Sequence, residues 1–89
     1  MALVVFITPA ARRDLARLPI QAQMRVSQAV NTLGENPRPP GARMLKGRGR
    51  SLRVRVGDYR VVYSIDDAAR LVTIEEIGDR RDVYRRGRR

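Results

Sequence analysis

The sequence contains no cysteine, no histidine and no tryptophan. Without cysteine there can be no disulfide, thiolate metal site or thiol nucleophile, which is compatible with a reducing compartment. Without histidine, a zinc site would need carboxylates alone, and acid–base chemistry would have to use Arg, Lys, Tyr, Asp or Glu. Aromatic residues are limited to one Phe and three Tyr. The core must therefore be built from Leu, Val, Ile and Ala.

Long apolar segments are also missing. No run approaches the roughly 20 residues needed to cross a bilayer, and the first seven residues lack the basic start of a secretory signal. We therefore expect a cytoplasmic protein with no membrane partner. A chain of 89 residues is long enough for one small domain. We expect a single domain over residues 1–89, with residues 80–89 as a basic C-terminal tail.

Basic residues are abundant and clustered. The formal net charge is +10, and 18 of the 19 basic residues are Arg. A codon bias would explain the preference for Arg over Lys, but not the clustering: residues 38–63 hold eight basic groups and one acidic group, and residues 80–89 hold six and one. Guanidinium groups bind phosphate in a bidentate way. The charge distribution predicts a polyanionic partner, either nucleic acid or an acidic protein.

The first half of the chain predicts a strand and two helices. The apolar run at residues 3–7 is typical of a strand buried on both faces. Thr8 and Pro9 favour a helix start, and Pro19 interrupts that helix. A second amphipathic helix runs from Ile20 to Gly34, before a proline cluster. Residues 41–50 are rich in glycine and indicate a mobile basic loop, whose Lys46 and Arg48 are candidate substrate-binding residues.

Apolar and polar residues alternate from residue 52 to residue 65, around a two-residue turn at Gly57 and Asp58, which predicts a β-hairpin. A second turn at residues 66–69 leads into a third strand at residues 71–77. The order β-α-α-β-β-β predicts an α+β fold, in which an antiparallel sheet carries the two N-terminal helices on one face.

The turn fixes the register of this hairpin. It places Arg55 opposite Arg60 and Arg53 opposite Val62, with all three arginines on one face. The other face becomes the core face, with Leu52, Val54, Val56, Tyr59, Val61 and Tyr63. Opposed like charges destabilise a sheet by some tenths of a kcal/mol. Either the arginines only solvate the outer face, or they converge to bind phosphate and stabilise the negative charge of a phosphoryl-transfer transition state.

The tail carries further candidates. Arg80 and Arg81 add two guanidinium groups shortly after the third strand, and Tyr84 could stack on an unpaired base or donate a hydrogen bond to a phosphate. The alternative is a frayed basic terminus in which Tyr84 only anchors the chain to the core.

Acidic residues offer no obvious metal site. Asp66 and Asp67 lie in a predicted turn, where Asp is favoured for local hydrogen bonds. Glu75 and Glu76 point to opposite faces if their strand is regular. We therefore expect neither a metal ion nor another cofactor.

Three segments together resemble the RelE family of the RelE/ParE toxin superfamily. They are the Leu-Lys-Gly step at residues 45–47, the run Arg-Val-Arg-Val-Gly-Asp-Tyr-Arg-Val-Val-Tyr at 53–63, and Ile-Gly-Asp-Arg-Arg-Asp-Val-Tyr at 77–84. The resemblance covers nearly the whole chain. It implies a RelE-like fold and a toxin of a type II toxin–antitoxin system that cleaves mRNA, often on the ribosome, and thereby inhibits translation. It also implies an acidic RelB-like antitoxin as partner, with operator DNA bound only through the complex.

The resemblance further implies metal-independent attack of a ribose 2′-hydroxyl on the adjacent phosphate. By position, Arg60 would hold the scissile phosphate, Arg80 would assist the leaving oxygen and Tyr84 would orient the substrate. Arg53 and Arg55 fall where basic residues, commonly Lys, serve binding and base catalysis in RelE proteins; Arg55 is taken as catalytic and Arg53 as substrate-binding. Arg81 is a substrate-binding residue that competes with Arg80 for its role. Because Arg is a poor general base, the proton acceptor is left unassigned.

Two other functions remain open from the sequence. A ParE-like toxin would inhibit DNA gyrase without cleaving anything, and a non-catalytic module would only bind RNA. The family resemblance implies that ParE proteins generally lack the basic and Tyr constellation, so Arg60, Arg80 and Tyr84 favour the nuclease.

Overall fold

Residues 2–79 are described in a computed structural model of the chain and form two helices and a five-stranded sheet. The elements are β1 (Val4–Ile7), α1 (Pro9–Ala16), α2 (Ile20–Glu35), β2 (Arg43–Met44), β3 (Leu52–Val56), β4 (Tyr59–Asp66) and β5 (Leu71–Asp79). The strand order across the sheet is β1-β5-β4-β3-β2. The predicted α+β fold class is confirmed.

The helices begin and end near the predicted positions. Thr8 caps α1, because its Oγ1 accepts a hydrogen bond from the Ala11 amide at 3.1 Å, and the same hydroxyl donates to the Ile74 carbonyl at 2.9 Å. At the break before α2, the Gln23 side chain donates to the Leu18 carbonyl at 2.8 Å. Neither helix of the described region is long and apolar enough to cross a membrane.

The core lies between the helices and one face of the sheet. It uses alternate residues of the central strands, as the period of two requires. Its fully buried side chains include Val26, Val30, Leu33, Val61, Tyr63, Val72, Ile74 and Ile77. Tyr63 is the largest of them, and its hydroxyl donates a 2.7 Å hydrogen bond to the Pro37 carbonyl. That bond ties the segment after α2 to the centre of the sheet.

Strand β1 differs from expectation in two ways. It pairs in parallel with β5, so the sheet is mixed rather than antiparallel throughout. It is not buried on both faces, since the side of β1 away from the helices leaves Val4 67% and Phe6 49% exposed. The cause is its place at the edge of the sheet, where the helices cover one face alone: Val5 and Ile7 pack against the core.

The glycine-rich segment is more ordered than the predicted loop. It contains β2, whose Arg43 pairs with Arg53 of β3. Residues 45–51, which we call the connector, then reach β5. The Ser51 hydroxyl donates to Glu75 Oε1 at 2.7 Å, and Arg48 Nη1 lies 3.5 Å from Glu76 Oε1. The connector is therefore attached to a strand that lies two positions away from β3.

A β-bulge interrupts the pairing of β4 with β5. Val62 pairs with Glu76, but the next residue, Tyr63, pairs with Ile74, which leaves Glu75 as an extra residue. Ile74 and Ile77 both enter the core, and both intervening glutamates contact the connector. The prediction that Glu75 and Glu76 point to opposite faces is therefore wrong, because the bulge breaks the alternation on which it depended.

Asp14 of α1 supports this bulge. Its Oδ2 accepts a buried 3.1 Å hydrogen bond from the backbone amide of Ile77. We expect Asp14→Ala to lower the free energy of unfolding by about 1–3 kcal/mol, since it leaves a buried donor without a partner. Asp14→Asn keeps a carbonyl acceptor and should lose less. Urea denaturation of the two variants checks this, and equal losses would contradict the assigned role.

Gly34 is required where α2 meets β1. A Cβ at this position would lie 2.8 Å from the Leu3 carbonyl oxygen and 3.0 Å from Val5 Cγ2. Gly34→Ala should therefore destabilise the protein by about 1–3 kcal/mol, although Ala is normally the better helix former. Gln28→Ala, at an exposed position of the same helix, is the control. A gain in melting temperature for Gly34→Ala would disprove this packing constraint.

Candidate phosphate-binding site

The β3–β4 hairpin has the predicted register. Gly57 adopts a positive φ of 60° in the two-residue turn, a conformation that glycine accepts without strain. Arg55 then pairs with Arg60, and Arg53 pairs with Val62. Directly paired residues project from the same face of a sheet. The core residues predicted for the hairpin are confirmed on the helix side, so the arginines lie on the opposite face.

Strand β2 adds a fourth arginine that the sequence did not predict. Arg43 pairs with Arg53 and so projects from the same side as the hairpin arginines. We call the surface carrying Arg43, Arg53, Arg55 and Arg60 the arginine face. Arg43 and Met44 alternate between polar and apolar, as their partners Arg53 and Leu52 do. Two residues, however, are too few to predict a strand.

The arginines of this face repel one another. Burial and the neighbouring charges of Arg55, Arg60 and Arg43, in that order, lower the pKa of Arg53 from its usual value. Within residues 2–79, none of the four forms an ion pair with a carboxylate. Within the same residues, the four arginine side chains form only one hydrogen bond, a long one of 3.4 Å from Arg53 Nη1 to the Gly41 carbonyl. Within the described residues, no carboxylate therefore neutralises the positive charge of this face through an ion pair.

Val62 and Arg60 form the middle of the arginine face. Val62 is fully buried although it projects away from the helix-side core. Arg60 Nε is buried and has no hydrogen-bond partner. An unsatisfied buried donor is uncommon and costs free energy. A phosphate oxygen within hydrogen-bond distance of Arg60 Nε would supply the missing acceptor.

The connector and β5 border the site on one side. Glu76 pairs with Val62 and so stands on the arginine face, where Arg48 approaches it. Arg48 thus lies beside the arginine face, where it is paired with a carboxylate. Lys46 lies exposed in the connector and forms no hydrogen bond or ion pair within the described part of the chain. The structure does not bring it against the four arginines.

Three predicted residues, Arg80, Arg81 and Tyr84, lie outside the described residues. Within residues 2–79, no three Asp or Glu side chains are grouped closely enough to hold a metal ion. A cavity of about 280 Å³ lies apart from the arginine face, since its apolar strand residues belong to the helix side. It is lined by Arg38, Met44, Arg50, Leu52, Ile65 and Asp67. The exposed Arg38–Asp67 ion pair, 3.0 Å long, forms part of its wall.

Comparison with known proteins gives a family for this arrangement. Residues 5–84 match the family described as the ParE toxin of type II toxin–antitoxin systems, parDE. Toxin RelG of Mycobacterium tuberculosis is 34% identical over 87 residues, covering 97% of this chain and all of the relative. Toxin RelE of the same organism is 40% identical over 82 residues, covering 91% of this chain and 84% of the relative.

Solved structures show the same fold. The RelBE2 toxin–antitoxin complex of M. tuberculosis contains a chain that matches with a TM-score of 0.82 and 29% identity, over 90% of this chain and 93% of that one. The family match covers well over half of the sequence, and the curated relatives exceed 30% identity over most of both chains. The chain therefore belongs to the RelE/ParE superfamily and is a RelE-like toxin of a type II toxin–antitoxin system.

Proposed function

We propose that the chain acts as a single RelE-like domain that cleaves mRNA bound to the ribosome, without a metal ion, and so inhibits translation. The observation that carries this proposal is Arg60, whose buried Nε lacks a partner in the middle of a face with three further arginines. Such a group fits the phosphodiester of RNA, because fixed guanidinium groups neutralise the charge that develops on phosphorus oxygens during attack.

The residues divide into two proposed roles. Arg60 and Arg55 would hold the scissile phosphate and stabilise its transition-state charge. Arg53, Arg48 and Lys46 would bind the flanking backbone of the RNA. In the tail, Arg80 or Arg81 would neutralise the leaving oxygen, and Tyr84 would orient the substrate.

We also propose an acidic RelB-like antitoxin as the partner that keeps the toxin inactive. Two observations support it: the +10 net charge, and the similarity to a toxin solved as part of the RelBE2 toxin–antitoxin complex. An acidic segment laid on the arginine face would neutralise it. Contact with operator DNA would then come through the complex.

A second candidate function is ParE-like inhibition of DNA gyrase. It is favoured by the family match itself, whose description is a ParE toxin. The two functions differ in what they require of the arginine face. Cleavage needs a phosphate held at Arg60, whereas inhibition of gyrase breaks no bond in a nucleic acid.

Arg60→Ala tests the nuclease proposal. Induction of the wild-type chain should arrest growth and create new mRNA 5′ ends. Arg60→Ala should reduce cleavage by about 10²–10³-fold, the usual effect of removing one group that stabilises transition-state charge. Arg13→Ala, an exposed arginine of α1, is the matched control. Growth arrest with altered DNA supercoiling and no new mRNA ends would instead support gyrase inhibition.

Arg55→Gln tests whether repulsion between Arg55 and Arg60 destabilises the fold while both residues contribute to RNA binding. Removing one of two directly opposed charges should raise the free energy of unfolding by some tenths of a kcal/mol at low salt. The gain should shrink at high salt, where the repulsion is screened, and RNA affinity should fall. Urea denaturation at two salt concentrations checks this. A variant less stable than wild type at low salt would show that the repulsion is absent.

A further inference from the structure

The mechanism proposed above lacks a proton acceptor for the attacking 2′-hydroxyl. Arginine is a poor acceptor because it stays protonated, and the sequence has no histidine. Within residues 2–79, the carboxylate placed directly on the arginine face by strand pairing is Glu76. We propose that Glu76 is the general base of the cleavage reaction, an inference that rests on the proposed nuclease function.

The strand register places Glu76 across the site from Arg53. Arg53 of β3, Val62 of β4 and Glu76 of β5 form one row of paired residues. Neighbouring strands are about 4.8 Å apart, so the backbones of Arg53 and Glu76 are separated by about 10 Å. The residue between them is Val62, which is fully buried, so the ribose and its phosphate would lie over the groups that cover it.

Arg60 completes the arrangement at the next position along the face. It pairs with Gly78, which has no side chain to cover the site. Arg60 is therefore diagonal to Glu76, at a Cα separation of about 7–8 Å. A phosphate held between Arg53 and Arg60 would have Glu76 on its β5 side. The carboxylate and the guanidinium groups thus flank the same phosphodiester from opposite sides.

Within residues 2–79, the contacts of Glu76 involve only one of its carboxylate oxygens. Arg48 Nη1 approaches Oε1 at 3.5 Å, and the side chain is 19% exposed. No hydrogen bond to Oε2 occurs within the described residues. The charged groups that face Glu76 are Arg48 of the connector, Arg53 of β3 and Arg60 of β4, while Glu75 is its neighbour on β5.

The bulge in β5 explains why Glu76 lies on the arginine face. In a regular β5 only one of two adjacent residues would face the arginines, and the alternation from Ile74 would give that place to Glu75. The extra residue shifts the register, and Glu75 instead accepts a hydrogen bond from Ser51 of the connector. Ser51 is buried, so Glu75 serves to attach the connector. The two glutamates have different roles because their partners differ.

In the proposed step, Glu76 Oε2 takes the proton of the 2′-hydroxyl, and the 2′ oxygen forms a bond to phosphorus. The bond between phosphorus and the 5′ oxygen breaks, which gives a 2′,3′-cyclic phosphate on one fragment. The 5′ oxygen takes a proton from water and becomes a 5′-hydroxyl on the other. Glu76 then returns its proton to solvent.

Glu76→Gln tests the proposal on ribosomes programmed with an mRNA that wild type cleaves. The single-turnover rate should fall by about 10²–10⁴-fold, the usual contribution of a general base. The acidic limb of the pH–rate profile should disappear with the carboxylate. Affinity for the same mRNA carrying a 2′-deoxy sugar at the cleavage site should stay unchanged or increase, because a negative charge has been removed.

Two control variants separate this role from a structural one. Glu75→Gln keeps an acceptor for Ser51 and should cleave at nearly the wild-type rate. Arg48→Ala removes the ion-pair partner of Glu76 but should keep the acidic limb of the profile. If wild type cleaves and Glu76→Gln cleaves equally well, the inference is overturned while the nuclease function stands. The inference is also overturned if Glu76→Gln and Arg48→Ala lose the same rate and both keep the wild-type pH–rate profile. In that case Glu76 would only position Arg48. Absence of cleavage by wild type would overturn both proposals.

Discussion

The arginine face depends on the packing of the opposite side of the sheet. Val61 and Tyr63 are fully buried against the helices, and a shift of one residue would expose them and bury the charged side chains instead. Burial of two such residues is worth several kcal/mol, whereas the repulsion between Arg55 and Arg60 is worth some tenths. The core therefore fixes the register, and the register holds like charges together against their own repulsion.

The packing of the core therefore keeps four arginines on one surface, although no carboxylate within residues 2–79 forms an ion pair with them. Part of the cost is visible in the lowered pKa of Arg53 and in the unpartnered Nε of Arg60. A phosphate beside these groups would supply an acceptor for Arg60 Nε and would offset the positive charge around Arg53. In the proposed cleavage reaction, this surface would be preorganised for the negative charge of the transition state.

Much of this arrangement could be predicted from the sequence, because the hairpin obeys one simple rule. Strict alternation on either side of a two-residue turn fixed which residues of β3 and β4 face each other, and the pairs of Arg55 with Arg60 and Arg53 with Val62 are confirmed. The helix start at Thr8 was equally predictable, since its capping hydroxyl is a local feature. The family resemblance is confirmed as well.

What escaped prediction depends on contacts between distant residues. The two residues of β2 form a strand because β3 offers them a partner, and no local signal predicts that pairing. The bulge in β5 depends on Asp14, 63 residues earlier in the chain, which accepts the hydrogen bond of Ile77. A regular strand does not predict the pairing of Glu76 with Val62, and so it does not predict that Glu76 lies on the arginine face. The exposure of Val4 and Phe6 follows from the edge position of β1, which a run of apolar residues does not reveal.

In the proposed mechanism, the arginine face binds a phosphodiester of mRNA and stabilises its charge while the neighbouring 2′-hydroxyl attacks it. The most direct test is chemical analysis of the ends produced when the purified chain acts on ribosome-bound mRNA. This mechanism predicts a 2′,3′-cyclic phosphate on the upstream fragment and a 5′-hydroxyl on the downstream fragment. A 3′-hydroxyl with a 5′-phosphate, which results from attack by water, would contradict it.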